Sequence, residues 1–447
     1  MKKFKTKAWI ILTGLAWSMS TDLMAQDTLK LNFRQAVDLA LEKNLDYQIQ
    51  KNNLEITQKE KQVAMLSHFP TVGITSNLAR QSGQQFQQVE GEIVVTNVTN
   101  DIVSGNLNVN MPVFNSGRRI LDTQSAKLAL EAGEKGLERA KQQITFDVAR
   151  LYLQVLLDKE LLRIADENLE NQKEVLRQIE GFVQAGLRTY SDQYNQQSEV
   201  ARVESVKVDA EIALENDLWS LTEYLQLDPG IVPDLEAVDP ENGSREFEGA
   251  GVPELYDIAV ANRDDKLQQS LLKDSYKKDM QAFKAMLYPR INAFYNYNTF
   301  FTSLDERTLR EQLLKIYPQN TLGFGLVIPI FSNFQTRLDV TRSKALYQNQ
   351  ILREKSVDRK VYQDVKLAHQ NYQAALRKEI NTRVQVLAAK EASVAVQERF
   401  RLGLSTFVDL ATANQQLVRS QADQAQAVYT LFFQDILMKY ALGTLEF

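Results

Sequence analysis

Cysteine is absent from this chain of 447 residues, and histidine, proline and glycine are scarce, with 2, 9 and 18 residues. Without cysteine there can be no disulfide, no thiol nucleophile and no lipid attached to a cysteine. The two histidines, His68 and His369, form no HExxH motif, and no Gly-x-Ser-x-Gly or phosphate-binding glycine loop is present. The sequence therefore predicts a protein that is not an enzyme, with no catalytic residue, no metal site and no cofactor.

Long apolar runs are also missing, apart from Ala8–Trp17, which is too short to span a bilayer. Four lysines precede this run and Leu23-Met24-Ala25 follows it, which predicts a secretory signal peptide over residues 1–25 in preference to a disordered basic terminus. Cleavage would remove those lysines and Asp22, lowering the formal net charge from −5 to −8. An exported acidic chain is not expected to bind nucleic acid.

Two glycine turns lie 217 positions apart, at Gly186 and Gly403, within matching stretches that end at Asp192 and Asp409. Similar offsets relate Asp38–Leu41 to Asp257–Val260 and Pro112-Val113-Phe114 to Pro329-Ile330-Phe331. An offset that holds over most of the chain indicates a tandem duplication. The predicted organisation after the signal peptide is a first repeat at 26–227, a Pro/Gly-rich linker at 228–253 and a second repeat at 254–447.

Each repeat contains a predicted β-hairpin, at 71–114 and 291–331, in which apolar residues alternate with small or amide residues. The polar segments 81–102 and 302–320 are predicted to be loops. Strands of about ten residues with this alternation, in an exported chain, are typical of a transmembrane barrel, although a half-buried sheet would show the same pattern. Four strands cannot close, and lipid does not tolerate an open edge, so a barrel would need several chains.

Aromatic residues cluster around the second hairpin and are predicted to form interfacial girdles: Phe294, Tyr295, Tyr297, Phe300 and Phe301, with Phe114 and Phe331 at the strand–helix junctions.

Long helices are predicted where proline is absent, because continuous helix excludes it. The segments Gly117–Ala185 and Phe334–Leu402 contain 69 residues each, or about 100 Å of helix. Asn115-Ser116 and Ser332-Asn333 are candidate N-caps for these helices. Shorter helices are expected to run back along them, over Asn32–Ser67, Tyr190–Leu227, Glu254–Leu287 and Phe407–Thr444, with the linker at mid-height.

The turns that join each long helix to its returning helix, 186–189 and 403–406, are called the first tip and the second tip. Thr189-x-x-Asp192 and Thr406-x-x-Asp409 have the spacing of a capping box, and Gly186 and Gly403 have the position of a left-handed helix end.

These features together resemble the TolC family of outer-membrane channel proteins over nearly all of the mature chain. The most specific residues are the second tip with its first-repeat partner, the Pro-Val-Phe and Pro-Ile-Phe junctions, and the ending Ala441–Leu445. The resemblance implies a mainly α fold with a membrane β part. It also implies a homotrimer in which tandem-duplicated helical hairpins form a periplasmic α-barrel and four strands per chain form a shared 12-stranded transmembrane β-barrel in outer-membrane lipid.

The same resemblance implies a passive exit duct of a tripartite efflux pump or type I secretion system. The tips would dock a periplasmic adaptor that connects to an inner-membrane transporter of RND or ABC type. By position, the adaptor-contact candidates are Gly186, Leu187, Thr189, Gly403, Leu404 and Thr406. The candidates for a charged entrance constriction are Asp192, Asp409, Arg188 and Arg401.

Two positions depart from the family pattern. Thr412 stands where well-known members have a second carboxylate, and Ser405 stands where a basic residue is common. We therefore expect one carboxylate ring at the entrance instead of two. The alternative function is a trimeric coiled-coil surface protein anchored by a β-barrel, which should have one C-terminal anchor instead of two internal hairpins.

Overall fold

The computed structural model describes residues 28–89, 91–228, 230–238 and 246–446. The predicted signal peptide and two linker prolines, Pro229 and Pro240, lie outside these residues. The described elements are, in chain order, β1 (Thr28–Leu31), α1 (Phe33–Lys43), α2 (Leu45–Leu66), β2 (Thr71–Val89), β3 (Glu92–Phe114), α3 (Arg118–Gln184), α4 (Tyr190–Tyr224), β4 (Val232–Leu235), α5 (Val252–Asn262), α6 (Asp264–Ala285), β5 (Arg290–Thr302), α7 (Leu309–Glu311), a π-helical turn (Gln312–Ile316), β6 (Gln319–Val327), α8 (Gln335–Arg401) and α9 (Phe407–Leu442).

The two predicted long helices are confirmed as α3 and α8, with 67 residues each. At 1.5 Å per residue each is about 100 Å long. Along α3 the buried side chains include Ile144, Val148 and Val155, and along α8 they include Val361 and Val365. These helices persist because the shorter helices pack on both halves of their length, which supplies apolar burial that an isolated helix lacks.

The predicted N-caps of the long helices are wrong in position. Gly117 and Phe334 occupy the cap positions in left-handed conformation, with φ of 80° and 61° and no side-chain cap hydrogen bond. The Asn115 side chain still accepts a hydrogen bond from the Arg119 backbone N–H at 3.4 Å. A sharp turn from strand to helix therefore determines where each helix begins.

The predicted continuous helices Asn32–Ser67 and Glu254–Leu287 are each broken in two. The breaks fall at Asn44 and Arg263, whose backbone is extended. Asn44 leaves the helix because its side chain accepts a hydrogen bond from the Tyr47 N–H and caps the next helix. At the other break the Arg263 guanidinium is buried, 2.6 Å from Asp265 Oδ2 and 2.9 Å from Asp364 Oδ2, so tertiary ion pairs determine the bend.

Mid-height of the molecule is occupied by a small apolar core around Tyr152, near the middle of α3. The Tyr152 hydroxyl donates to the carbonyls of Leu31 and Glu236, at 3.1 and 2.7 Å, and so joins the parallel pair β1–β4 to α3. Leu445, just beyond α9, packs in the same core. The linker segment 230–238 therefore lies beside the middle of α3.

The second sheet is antiparallel, in the order β2-β3-β5-β6. The prediction that 81–102 forms a loop is wrong, because β2 and β3 stay paired until Val89 meets Glu92. The β2 half of this ribbon, Gln81–Gln88, is polar apart from Phe86 and lacks apolar alternation. The β3 half contains Ile93, Val94, Val95 and Val98, which are typical of a strand. The segment 302–320 does leave the sheet, through α7 and the π-helical turn.

Residues opposite one another in this sheet share a face. Asn106 pairs with Asn298 and Asn108 with Asn296, so these asparagines define one surface, the amide face. The apolar face carries the alternate residues, including Val109 and its partner Tyr295.

The register corrects part of the aromatic-girdle prediction. Phe294 pairs with Asn110 and Phe300 pairs with Ser104, so both lie on the amide face. Phe301 pairs with Val103 and lies on the apolar face together with Tyr295 and Tyr297. Among the described helices, none is both long and apolar enough to cross a membrane.

Candidate functional site: the helical tips and the amide face

The two tips have the same backbone structure. Gly186 and Gly403 are left-handed, with φ of 72° and 77°. The next residues, Leu187 and Leu404, donate their N–H groups to Phe182 O and Arg399 O, both at 2.8 Å. This bonding closes each long helix by satisfying its last carbonyls, and glycine is favoured because it has no Cβ to strain the turn.

Each returning helix begins with the predicted capping box. Asp192 Oδ2 accepts from the Thr189 N–H at 3.2 Å, and Asp409 Oδ2 accepts from the Thr406 N–H at 2.9 Å. Hydrogen bonds from the Thr406 backbone and hydroxyl hold the pKa of Asp409 below its usual range, because they favour the charged carboxylate. Both carboxylates are therefore occupied in starting a helix.

Two leucines project from the tips without a partner surface. Leu187 and Leu404 are each 72% exposed, whereas most large apolar side chains of the α3 interior are buried. An exposed apolar side chain beside a polar capping box presents both kinds of group that a docking partner can contact.

The arginines near the tips are not placed against the carboxylates. Arg188 Nη2 donates to Phe400 O at 2.8 Å, and its guanidinium lies 4.2 Å from the centre of the Phe400 ring. Arg401 pairs with Glu398 at 2.6 Å on its own exposed helix surface. The partner of Arg188 could not be predicted from nearness in sequence, since Phe400 lies 212 residues away.

A groove of about 500 Å³ lies between α8 and α9 beside the second tip. Its lining includes Arg399, Leu404, Asp409 and Thr412. Arg399 was not among the predicted site residues, and its charge contributes to the lowered pKa of Asp409. Arg399 could have been predicted from its position four residues, or about one helical turn, before Gly403.

The amide face is a second candidate functional surface, remote from the tips. Arg290 is the only Lys, Arg, Asp or Glu in the strand segments 71–79, 102–114, 290–302 and 319–327. At its helix-side end a cavity of about 410 Å³ is lined by Arg118, Arg290 and Asn292, among others. Over the described ranges no group of three or more His, Asp or Glu side chains could hold a metal ion.

The chain matches a family model described as outer membrane efflux protein over residues 36–225 and 255–436, well over half of its length. It therefore belongs to the outer membrane efflux protein family. It is a protein of the Gram-negative outer membrane that extends into the periplasm, as the resemblance to the TolC family implied.

Relatives of known name include two proteins called pyoverdine export outer membrane protein OpmQ. The one from Pseudomonas putida is 24% identical over 71% of this chain and 66% of that protein. The one from Pseudomonas aeruginosa is 29% identical over 55% of this chain and 49% of that protein. The chain thus spans about half to two thirds of these relatives. Outer membrane protein TolC of Escherichia coli is 21% identical over 81% of this chain and 74% of that protein.

Solved structures show the same fold. A structure of CusC has a TM-score of 0.78 at 14% identity and covers 92% of both chains. The structure of VceC from Vibrio cholerae has a TM-score of 0.77 at 16% identity and covers 92% of this chain and 96% of that one.

Proposed function

We propose that three copies of this chain form one passive duct across the outer membrane, with a shared 12-stranded β-barrel continued by a periplasmic α-barrel. The main observation in support of this proposal is that the four-stranded sheet is open at both edges. Among the described strands, β2 and β6 each have one unpaired edge. Lipid does not tolerate such edges, because their backbone groups would lack hydrogen bonds.

Ring closure by identical copies satisfies both edges at once. Strands β2 and β6 run in opposite directions, so β6 of one copy can pair antiparallel with β2 of the next. A head-to-tail contact of this kind generates a closed ring. The apolar face would then contact lipid, and the amide face would line the lumen.

The tips would form the periplasmic end of the duct and dock an adaptor, through which an inner-membrane transporter of RND or ABC type supplies the cargo. The exposed leucines support this role for Gly186, Leu187, Thr189, Gly403, Leu404 and Thr406. Asp192, Asp409, Arg188 and Arg401 would surround the entrance, with the two carboxylates also fixing the helix starts.

In this proposal the inner-membrane transporter selects the cargo, and the names of the relatives indicate its class. The OpmQ relatives are named for pyoverdine export, so a small exported molecule is the favoured cargo class, with type I secretion of a protein as the second. An anchored surface protein is disfavoured because two internal hairpins, not one C-terminal anchor, supply the strands.

Disulfide crosslinking tests the assembly directly, since the chain contains no cysteine. Pairs of cysteines introduced on the apolar-face positions of β2 and β6 should give covalent dimers and trimers on a denaturing gel. The matched control places cysteines at Val109 and Tyr295, which pair within one chain and should give only monomers. A β2–β6 scan that yields no covalent oligomer from properly inserted protein would refute ring closure.

Conductance in a planar bilayer tests the duct itself. A small, stable, trimer-associated current is expected from the mature protein. It should increase when Asp192 and Asp409 are neutralised together. Absence of current from both inserted forms would favour the anchored surface protein.

A further inference from the structure

The amide face has an unusual composition for a surface of this size. Besides asparagine it carries Thr71, Thr75, Thr321 and Ser104, with glycine at 73, 323 and 325 and no carboxylate in its four-stranded part. Arg290 is its single charged residue. This face offers many hydrogen-bonding groups and, in its four-stranded part, has no carboxylate.

Phe294 is an aromatic exception within this polar face, and its ring lies along the sheet. The ring reaches across to the neighbouring strand, where Gly323 is its partner in the ladder. A Cβ at position 323 would lie 2.7 Å from Phe294 Cζ. Glycine at 323 thus makes room for the ring, which lies against the amide face and is half-buried.

Phe300 is a second aromatic residue on the same face, about 20 Å further along β5 at 3.3 Å per residue. Its ring stacks on Tyr317, with centroids 4.1 Å apart and planes at 22°, and the residue remains 41% exposed. The adjacent π-helical turn is held by the buried Gln312, whose side chain donates to the carbonyls of Thr302, Asp305 and Arg307. The stack is therefore fixed in place.

Between these two aromatic sites the amide face offers amides. Asn296 and Asn298 lie between them on β5, opposite Asn108 and Asn106 on β3. The Asn106 amide donates to Asn298 Oδ1, so Asn108 and Asn296 are the asparagines that lack this mutual bond. Aromatic surfaces with a small number of placed polar groups are the usual composition of sites that bind small organic molecules.

We propose that the amide face is a binding path for small solutes that combine a flat apolar surface with hydrogen-bonding groups. The inference rests on the proposed duct, in which this face lines the lumen. Phe294 and the Phe300–Tyr317 stack are the two sites that bind the flat surface of the solute, and the asparagines between them bind its polar edge.

The test is transient block of single-channel current by 4-nitrophenyl maltoside, which has a flat ring, many hydroxyls and no charge. Maltose is the comparison that lacks the ring. We expect concentration-dependent block by the maltoside and several-fold weaker block by maltose. Replacing Phe294 and Phe300 together by Ala should weaken the block roughly fivefold.

Phe301→Ala is the matched control, because it removes the same ring from the next position of β5 on the apolar face. It should leave the block unchanged. If Phe301→Ala weakens the block and the double variant does not, the assignment of the lumen face is overturned. If the wild-type channel conducts normally but the maltoside does not block it, the binding path is overturned while the duct stands. Absence of any conductance overturns the duct and the binding path together.

Gly323→Ala gives a second readout that keeps both aromatic rings. The added Cβ must displace the Phe294 ring from the amide face toward the lumen. Open-channel conductance should therefore decrease, whereas Gly325→Ala, which meets no atom within 4 Å, should leave it unchanged. Equal conductance in both glycine variants would contradict the position assigned to Phe294.

Discussion

The two tips share a turn and a cap but differ at one side chain. Each has a left-handed glycine, an exposed leucine and a Thr–Asp capping box, with equivalent bonding. The first tip then has Arg188, which contacts Phe400 of the other hairpin, while the second has Ser405, whose hydroxyl is 3.4 Å from Val396 O on its own hairpin. Local sequence thus reproduces the turn. The first tip adds a side-chain hydrogen bond to the other hairpin, whereas Ser405 bonds within its own hairpin.

The two hairpins also differ further from the tips, at a buried position of their long helices. Asp158 on α3 is buried, and Ala375 is buried at the matching position of α8. Burial, together with a hydrogen bond to Asp217 and its charge, raises the pKa of Asp158 to about 7. The first hairpin therefore contains a buried carboxyl with a raised pKa at a position where the second hairpin has alanine.

The largest effect is expected from valine at either tip glycine, because a β-branched residue is strained at positive φ. Gly186→Val and Gly403→Val should each weaken their turn by about 2 kcal/mol. Hydrogen exchange of the Leu187 or Leu404 amide should then accelerate about 30-fold, in the altered tip alone. Gly181→Val, in a helix at negative φ, is the control. Unequal effects at the two tips would show that their turns are not equivalent.

The next-largest effect is expected at the first tip alone. Arg188→Ala should weaken the contact between hairpins by about 1–2 kcal/mol, since it removes a charged hydrogen bond and a ring contact. Nitroxide labels on cysteines introduced at Leu187 and Leu402 should show a broader distance distribution. Arg401→Ala is the matched control and should cause no measurable change, because its ion pair with Glu398 is exposed. Equal broadening by both variants would show that the Arg188–Phe400 contact does not hold the two hairpins together.

A smaller effect is expected from pH at Asp158. A carboxyl whose folded pKa is raised stabilises the protein below its unfolded value near 4 and loses that contribution as pH rises through about 7. Pairing of α3 with α4 should weaken as the pH rises from about 4 to about 7, on the order of 1 kcal/mol. Spin labels on exposed positions of α3 and α4 should report it, with α8 and α9 labelled as the comparison. Persistence of the change in Asp158→Asn would exclude this carboxyl as its source.

The smallest effect concerns the cap of the second tip. The lowered pKa of Asp409 means that its cap is intact above pH 4 and is lost only as pH falls through its folded value. Asp409→Asn should therefore change conductance at pH 7 only modestly, consistent with a single carboxylate ring. A large increase from this single change would mean that the entrance relies on Asp409 charge more than its cap geometry implies.

Much of the tips could be predicted from sequence because their structure is local. Gly403, Thr406 and Asp409 lie within seven positions, and the bonds that they make are encoded at that spacing. The partners of Arg188 and Arg263 could not be predicted, since Phe400 and Asp364 are distant in sequence and only packing brings them close. The roles of the tip residues in docking and at the entrance stay predictions.

The sequence by itself determined the two repeats, the long helices and the alternating strands, because proline placement and apolar periodicity act over short distances. The tertiary structure decided which face of β5 each aromatic residue occupies, since strand register depends on pairing with β3 and β6. It also decided that residues 81–102 continue the hairpin, because the strand residues Gln81–Gln88 are mostly polar and pair with β3 through their backbone.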